Sequence, residues 1–251
     1  MEGVIIIPKF FVTSDVHSFY TPLKKALDEA GLDPNNEEHW LIVCGDCFDR
    51  GGESEEVLHF IMSLERKILV KGNHDTLLEE CCTREFPYSY DSSNGTRRTI
   101  QDIGGAGYGR PFDECCQITW NKLARYRELL VNYFETRNYI FVHSWIPIIS
   151  QDGDYCKYDE NWRNASDNNW EEAMWGNPFD MHFLDLNQTG KTIVFGHWHC
   201  SAGHKMLGCC KSEFGEDAIW EPCYTEGIIG IDRCTAYTGE CNVVVLEDEF
   251  I

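Results

Sequence analysis

The chain reads as an α/β protein in which parallel strands alternate with helices. Two observations carry that reading. Short apolar runs at 10–13, 41–44 and 67–71 have strand length, and two amphipathic stretches separate them. The order strand, helix, strand, helix, strand implies parallel pairing through right-handed crossovers. A third observation says where a ligand would sit. Each run is followed at once by a short polar block, and in such sheets ligands bind beyond the carboxyl ends of the strands.

The elements follow in order. Thr21-Pro22 suits a helix start, with Thr as cap and Pro at the first helical position, and Gly31 suits its end. Leu23, Ala26, Leu27 and Ala30 share one face. Ser54 is positioned to cap the next helix, whose Val57, Leu58, Ile61, Met62 and Leu64 form an apolar stripe. From 83 to 117 Ser, Asn, Gly, Arg and Asp dominate, and an insertion or lid is expected there. The glycine-rich run at 104–109 has no strand before it, so it is not read as a dinucleotide loop. Residues 118–130 look helical. A strand pair is expected at 131–134 and 139–142, turning at 136–138. Residues 151–169 look like a long polar loop. Thr189-Gly190-Lys191-Thr192 lacks the first glycine of a phosphate loop, since Asp185 stands there. Residues 228–231 and 243–246 are expected to close the chain as a hairpin.

Composition narrows the classes. The 251 residues are 43% hydrophobic, which suits one large domain over 1–251. Eight Trp, 14 Phe and 11 Tyr exclude a disordered chain. The net charge of −21 repels nucleic-acid backbones and anionic membranes, so neither is an expected partner. No secretory leader is read, because Pro8 and Lys9 interrupt 4–12, and no apolar run approaches the ~20 residues of a membrane span. A cytoplasmic location is expected, with the 13 cysteines reduced and no structural zinc knot. The sequons at Asn94, Asn164 and Asn187 are then chance matches.

The polar blocks carry the chemistry. They are Ser14-Asp15-Val16-His17, Gly45-Asp46-Cys47-Phe48-Asp49-Arg50-Gly51, Gly72-Asn73-His74-Asp75, Val142-His143 and Gly196-His197-Trp198-His199. Asp15 and His17 are two apart, on one face of an extended strand exit, and can share a metal. Asp46 has two oxygens and can bridge two ions. Asn73 adds a neutral oxygen, His143 and His197 add imidazoles, and His199 can turn back to the first ion. Such a mixture of donors suits two divalent cations. Two ions about 3.5–4 Å apart hold a water and lower its pKa from about 15.7 toward about 7, giving a hydroxide that attacks phosphorus. His74 can protonate the leaving oxygen while Asp49 holds its ring. Arg50 offers a two-pronged donor to phosphate. Singly, each block has an ordinary structural explanation, as a cap, a turn or an ion pair. Five in one order, each at a strand end, do not.

These blocks resemble the calcineurin-like metallophosphoesterases, and more narrowly the phosphoprotein phosphatases of the bacteriophage-lambda type. The resemblance implies a β-sandwich flanked by helices and a binuclear centre, with manganese first and iron, zinc or nickel as alternatives. It implies that Asp15, His17 and Asp46, joined by His199, hold one ion, and that Asp46, Asn73, His143 and His197 hold the other. His74 with Asp49 becomes the acid pair, and Arg50 and Asn73 face the substrate phosphate. Ser14 and Ser18 stand where the family has glycine. A second phosphate-binding Arg is missing after Trp175-Gly176-Asn177, with Arg163, Arg110 and Lys205 as substitutes. Trp145 and Trp198 suit either the site wall or the core; Cys47, Cys200, His39, His59, His182 and His204 read as structural or surface residues. The expected function is a phosphatase for phosphomonoesters, on a small molecule or on phosphoserine and phosphothreonine in proteins. The alternatives are a nucleotide phosphoanhydride or phosphodiester hydrolase, such as a dinucleoside tetraphosphatase or cyclic-nucleotide phosphodiesterase, and a non-catalytic protein-binding scaffold.

Overall fold

Side-chain alternation along a strand sends neighbours to opposite faces, and here it builds three apolar layers. In the computed structural model, which describes residues 7–105, 107, 109–151 and 155–251, two five-stranded sheets face each other. The first runs β12-β1-β2-β3-β4 and the second β10-β11-β9-β6-β5. The first sheet contains β1 (Lys9–Thr13), β2 (His39–Cys44), β3 (Lys67–Val70) and β4 (Leu130–Val131), all parallel. The second contains β5 (Phe134–Glu135) and β6 (Tyr139–Phe141), while β7 (Ile148–Gln151) and β8 (Tyr155–Tyr158) pair separately. It is completed by β9 (Thr192–Phe195), β10 (Cys223–Thr225) and β11 (Ile228–Gly230). The last strand, β12 (Val244–Glu247), returns antiparallel to β1.

Phe10, Val12, Ile42, Cys44 and Val70 meet Phe141, Val194 and Ile229 between the sheets. Their neighbours Phe11, Leu41, Val43 and Leu69 face the other way, onto helices. Those helices are α1 (Tyr20–Ala30), α2 (Ser54–Ser63), α3 (Asn73–Arg84), α4 (Ser89–Asn94), α5 (Thr96–Gly104), α6 (Phe112–Lys122) and α7 (Ala124–Leu129). On the far side, Ile140, Ile193, Phe195 and Ile228 pack with residues of α8 (Asp167–Ala173), α9 (Pro178–Phe183) and α10 (Cys200–Met206). A short α11 (Thr235–Thr238) precedes β12. The sandwich flanked by helices is thus present, and no helix of the described residues is long and apolar enough to cross a membrane.

Several expectations change. Residues 228–231 and 243–246 do not form a hairpin: β11 pairs with β9 and β10, and β12 pairs with β1 in the opposite sheet. The free edge of β1 offers the closing strand a full antiparallel ladder. The strand pair after residue 130 is shorter than expected. Leu130–Val131 joins β3, and only Phe134–Glu135 turns back on β6. Residues 83–117 carry α4, α5 and α6, and Ile100, Ile103, Cys115 and Cys116 are buried in the helix-side core. Within the expected polar loop 151–169, β8 and a buried Trp162 pack against the second sheet. Ala106, Tyr108 and residues 152–154 of these segments lie outside the described residues. Cys44 and Cys47 do have Cys-x-x-Cys spacing, which the sequence reading passed over. Cys44 lies between the sheets and Cys47 on the helix side, so they do not form a shared metal knot. All 13 cysteines are free thiols.

Asp248 ties the two sheets together. Its Oδ2 accepts from Thr136 Oγ1 at 2.6 Å and from the Asn138 amide at 2.7 Å, and its Oδ1 accepts from Asn138 Nδ2 at 2.6 Å. Burial alone would raise this carboxyl, but those donors hold it below its ordinary value. Asp248→Ala is expected to cost about 1–3 kcal/mol in urea unfolding at neutral pH, since it orphans the donors. A depressed carboxyl contributes above its unfolded pKa and loses that contribution as pH falls through the folded value. The gap between wild type and variant should therefore shrink below about pH 4.

Candidate metal centre and active site

Both sheets end their parallel strands at the same edge, and the polar blocks meet there. Asp15 and His17 follow β1, Asp46 follows β2, and Asn73 and His74 open α3 after β3. His143 follows β6 and His197 follows β9. The turns are tight enough to need unusual backbone. Asp15, His17, Ser18, Asp46, Asp49, Arg50 and His197 all have positive φ, between 49° and 78°. Such conformations are uncommon outside glycine and gather at functional sites. Gly45, at φ 82°, has no room for a side chain, because an added Cβ would lie 2.3 Å from His143 Nδ1. A Cβ on Gly72 would lie 2.1 Å from Asp46 Oδ1. These glycines let the blocks close on one another.

Two groups of donor atoms result, and Asp46 belongs to both. One contains His17, Asp46 and His74; the other contains Asp46, His143 and His197. Asp15 Oδ1 is 3.8 Å from His17 Nε2, which is also 3.8 Å from Asp46 Oδ2. Asn73 Oδ1 is 2.8 Å from His143 Nε2, and His197 Nδ1 is 3.1 Å from that same nitrogen. His199 stands apart: its Nε2 meets the carboxylate of Glu213.

Backbone carbonyls set the tautomers. His17 Nδ1 donates to Phe48 O and His143 Nδ1 donates to Cys44 O, each at 2.9 Å. The neutral form of each ring then turns its Nε2 lone pair inward. Burial first, then Arg50, pushes His17 down to about 3. Burial first, then His143, pushes His197 down to about 3, against the opposing pull of Asp46. Both rings are therefore neutral at pH 7. Burial and the facing Asp46 raise Asp15 to about 7, against the bond it accepts from the His197 amide at 2.8 Å. Burial also opposes the charge on Asp46, but His143, His74, His17 and His197 outweigh it and hold the carboxyl well below its usual range. The centre thus gathers lone pairs from His143, His197 and Asn73 with buried carboxylates beside them. Only cations complete such a donor set, and its mixture of imidazole nitrogen and oxygen fits divalent ions of hard or borderline character.

Beside this centre His74 Nδ1 donates to Asp49 Oδ2 at 2.8 Å. Asp49 is fully buried and also accepts from Thr96 Oγ1 at 2.6 Å, while its amide donates to Thr99 Oγ1 at 3.0 Å. Burial would lower His74, but Asp46 and Asp49 raise it. Arg50 is exposed, with Nη2 3.4 Å from His74 Nε2. A cleft of about 440 Å³ opens over these groups and is also lined by Trp175, Trp198, Glu213, Phe214 and Asp232. Arg50 is its one permanently charged cation among the described residues. Arg163 pairs with Glu135, Arg110 points to Glu114, and Lys205 is exposed on α10, so none of the three substitutes lines the cleft. Trp145 is buried in the core beside Phe195, whereas Trp198 lines the cleft.

Sequence reasoning missed Asp232. It follows β11 as the other blocks follow their strands, and that position was its available signal. The carboxyl is buried and is raised to about 8 by that burial and by Asp15. Thr96 and Thr99 were also missed, because their segment was read as a cover. Nothing in the spacing pointed to Glu213.

Comparison with known proteins adds a second line. Residues 8–201 match the family model described as calcineurin-like phosphoesterase. A symmetrical bis(5'-nucleosyl)-tetraphosphatase of Pseudomonas fluorescens (strain SBW25) is 31% identical over 139 residues, which cover 55% of this chain and 43% of that one. A protein of the same name from Erwinia tasmaniensis (strain DSM 17950 / CFBP 7177 / CIP 109463 / NCPPB 4357 / Et1/99) is 38% identical over 137 residues, covering 54% and 44%. The chain spans less than half the length of these curated relatives. In fold it is similar to the cold-active protein-tyrosine phosphatase of a psychrophile Shewanella sp., with a TM-score of 0.57, 16% identity, and coverage of 96% of this chain and 76% of that one.

Ion binding should stabilise the fold by linkage. With a divalent ion at 100 times its dissociation constant, stability is expected to rise by about 2.7 kcal/mol over chelator-treated protein. Asp46→Asn should remove most of that gain, read as the shift in thermal midpoint between chelated and ion-loaded samples.

Proposed function

The chain belongs to the calcineurin-like phosphoesterase family, and from that premise we propose that it is a hydrolase of nucleotide phosphoanhydrides, with bis(5'-nucleosyl) tetraphosphates as the leading substrate. The observation that carries the hydrolase reading is Asp46, shared by two donor groups beside the His74–Asp49 pair. The names of the relatives favour the nucleotide substrate.

Asp15, His17 and Asp46 would hold one divalent ion, and Asp46, Asn73, His143 and His197 the other. His199 is a further ligand to the first ion if it releases Glu213. Manganese is the first candidate, with iron, zinc or nickel behind it. Bound ions would supply charge neutralisation and an acidified water. The chain's own residues do the rest. Arg50 and Asn73 orient the phosphoryl oxygens, and the fixed cleft holds the group in line for attack. His74 gives its Nε2 proton to the leaving oxygen, while Asp49 accepts from Nδ1 and stabilises the charged ring. Because phosphoryl transfer leaves little covalent work to the protein, this positioning dominates. The whole chain acts as one domain in this scheme, with helix α5 fixing Asp49 through Thr96 and Thr99.

A second reading, hydrolysis of phosphomonoesters including phosphoproteins, draws support from the cleft's single Arg50, since one guanidinium suits one phosphate. Parallel turnover of diadenosine tetraphosphate, p-nitrophenyl phosphate and its bis ester separates the two. The expected result is a kcat/KM at least tenfold higher on the tetraphosphate, with two ADP as product. Preference for the monoester would transfer the conclusion to the second reading. Turnover of none by ion-loaded protein would leave a binding scaffold. On the preferred substrate, His74→Asn should lower kcat by about 10²–10⁴ with ion content unchanged. Loss of ions together with activity would contradict the acid role.

A further inference from the structure

Aromatic rings that share a concave site offer flat faces on which a planar ligand ring can stack. Trp175 and Phe214 both line the catalytic cleft and are 52% and 50% exposed. Each is held in place by its surroundings. The turn carrying Trp175 is pinned by Ser144 Oγ, which donates to Gly176 O at 2.6 Å. The indole stands 6.3 Å from the His197 ring, nearly perpendicular to it. Phe214 belongs to a separate cluster. It lies 5.7 Å from Trp220 and 5.3 Å from Tyr237, and 4.9 Å from the His199 ring. Tyr237 Oη donates to the Phe214 carbonyl at 3.4 Å. Among the described residues no ring contact joins Trp175 to this cluster. The cleft therefore has two independent, braced aromatic faces, with Asp46, His197 and Arg50 lining the same cavity.

We propose that Trp175 and Phe214 are two stacking platforms for planar nucleobases, one for each end of a dinucleoside polyphosphate whose phosphates lie over the ion centre. This rests on the nucleotide reading above and names the residues that would make it specific. Each base stacked on an aromatic face is worth roughly 5- to 150-fold in affinity, the equivalent of ~1–3 kcal/mol. Trp220 and Tyr237 act as positioning residues for Phe214. The aromatic faces select for a ring, so substrates without one gain nothing from them.

The test uses the ion-loaded full chain and compares wild type with Trp175→Ala, Phe214→Ala and the control Phe183→Ala, an exposed ring outside the cleft. For diadenosine tetraphosphate, each cleft variant should raise KM by roughly 5- to 150-fold, with kcat changed far less. The loss should exceed that on inorganic tripolyphosphate by about the same factor, and Trp175→Phe should recover most of it. Phe183→Ala should match wild type. Equal losses on tetraphosphate and tripolyphosphate, or an unchanged KM, would overturn the platforms. Calorimetric binding of ADP against ribose 5-phosphate judges them independently of turnover. If wild type ignores the tetraphosphate yet binds ADP through both rings, the substrate reading fails and the platforms stand. ADP bound no better than ribose 5-phosphate would end the proposal.

Discussion

The buried carboxylate of Asp46 is the constraint on which the molecule depends. It is nearly inaccessible to solvent, faces Asp15, and has four imidazoles around it. An isolated charge in such a place would be prohibitive, so it must be compensated by partners or ions. Burial keeps two of the imidazoles, His17 and His197, neutral, and backbone carbonyls accept from the Nδ1 of His17 and of His143, which leaves each Nε2 facing inward. What remains is a pair of buried carboxylates among inward lone pairs, an arrangement that divalent cations complete. Its cost is borne by the sandwich around it.

The architecture explains how such a place can exist. Parallel strands in both sheets end at one edge, and an apolar layer between the sheets fixes the distance from β1–β3 to β6 and β9. Turns with positive φ then aim the polar side chains across the gap. Gly45 and Gly72 allow His143 and Asp46 to approach the neighbouring backbone. Helix α3 begins inside the site, so Asn73 and His74 inherit the rigidity of a packed helix. Helix α5 braces Asp49 from the other side. The site therefore rests on tight turns anchored directly to strand ends and helix starts, which suits groups that must keep fixed distances.

Much of this was legible in the sequence because each functional block is local and follows a local strand signal. The strands β1, β2, β3, β6 and β9, and the residues Asp15, His17, Asp46, Asn73, His74, His143 and His197 that converge behind them, could be read from apolar runs and what ended them. Pairing across the chain could not. Val244–Glu247 has the same apolar pattern whether it pairs with β11 or β1, and only the open edge of β1 decides. Residues 83–117 look polar because their helices are short and amphipathic, yet Ile100, Ile103 and two cysteines reach the core. Asp232 stood at a sixth strand exit without a neighbouring His or Gly to mark it. Glu213 and Phe214 reach the cleft from a segment with no periodic signal, so their closeness to His199 is a tertiary fact alone.

The most direct test of the central claim is anomalous diffraction from crystals of the chain grown with manganese. The account predicts two anomalous peaks about 3.5–4 Å apart, with the Asp46 carboxylate within bonding distance of both, and with Asp15 and His17 on one side and Asn73, His143 and His197 on the other. No peak, a single peak, or ions bound away from Asp46 would contradict it.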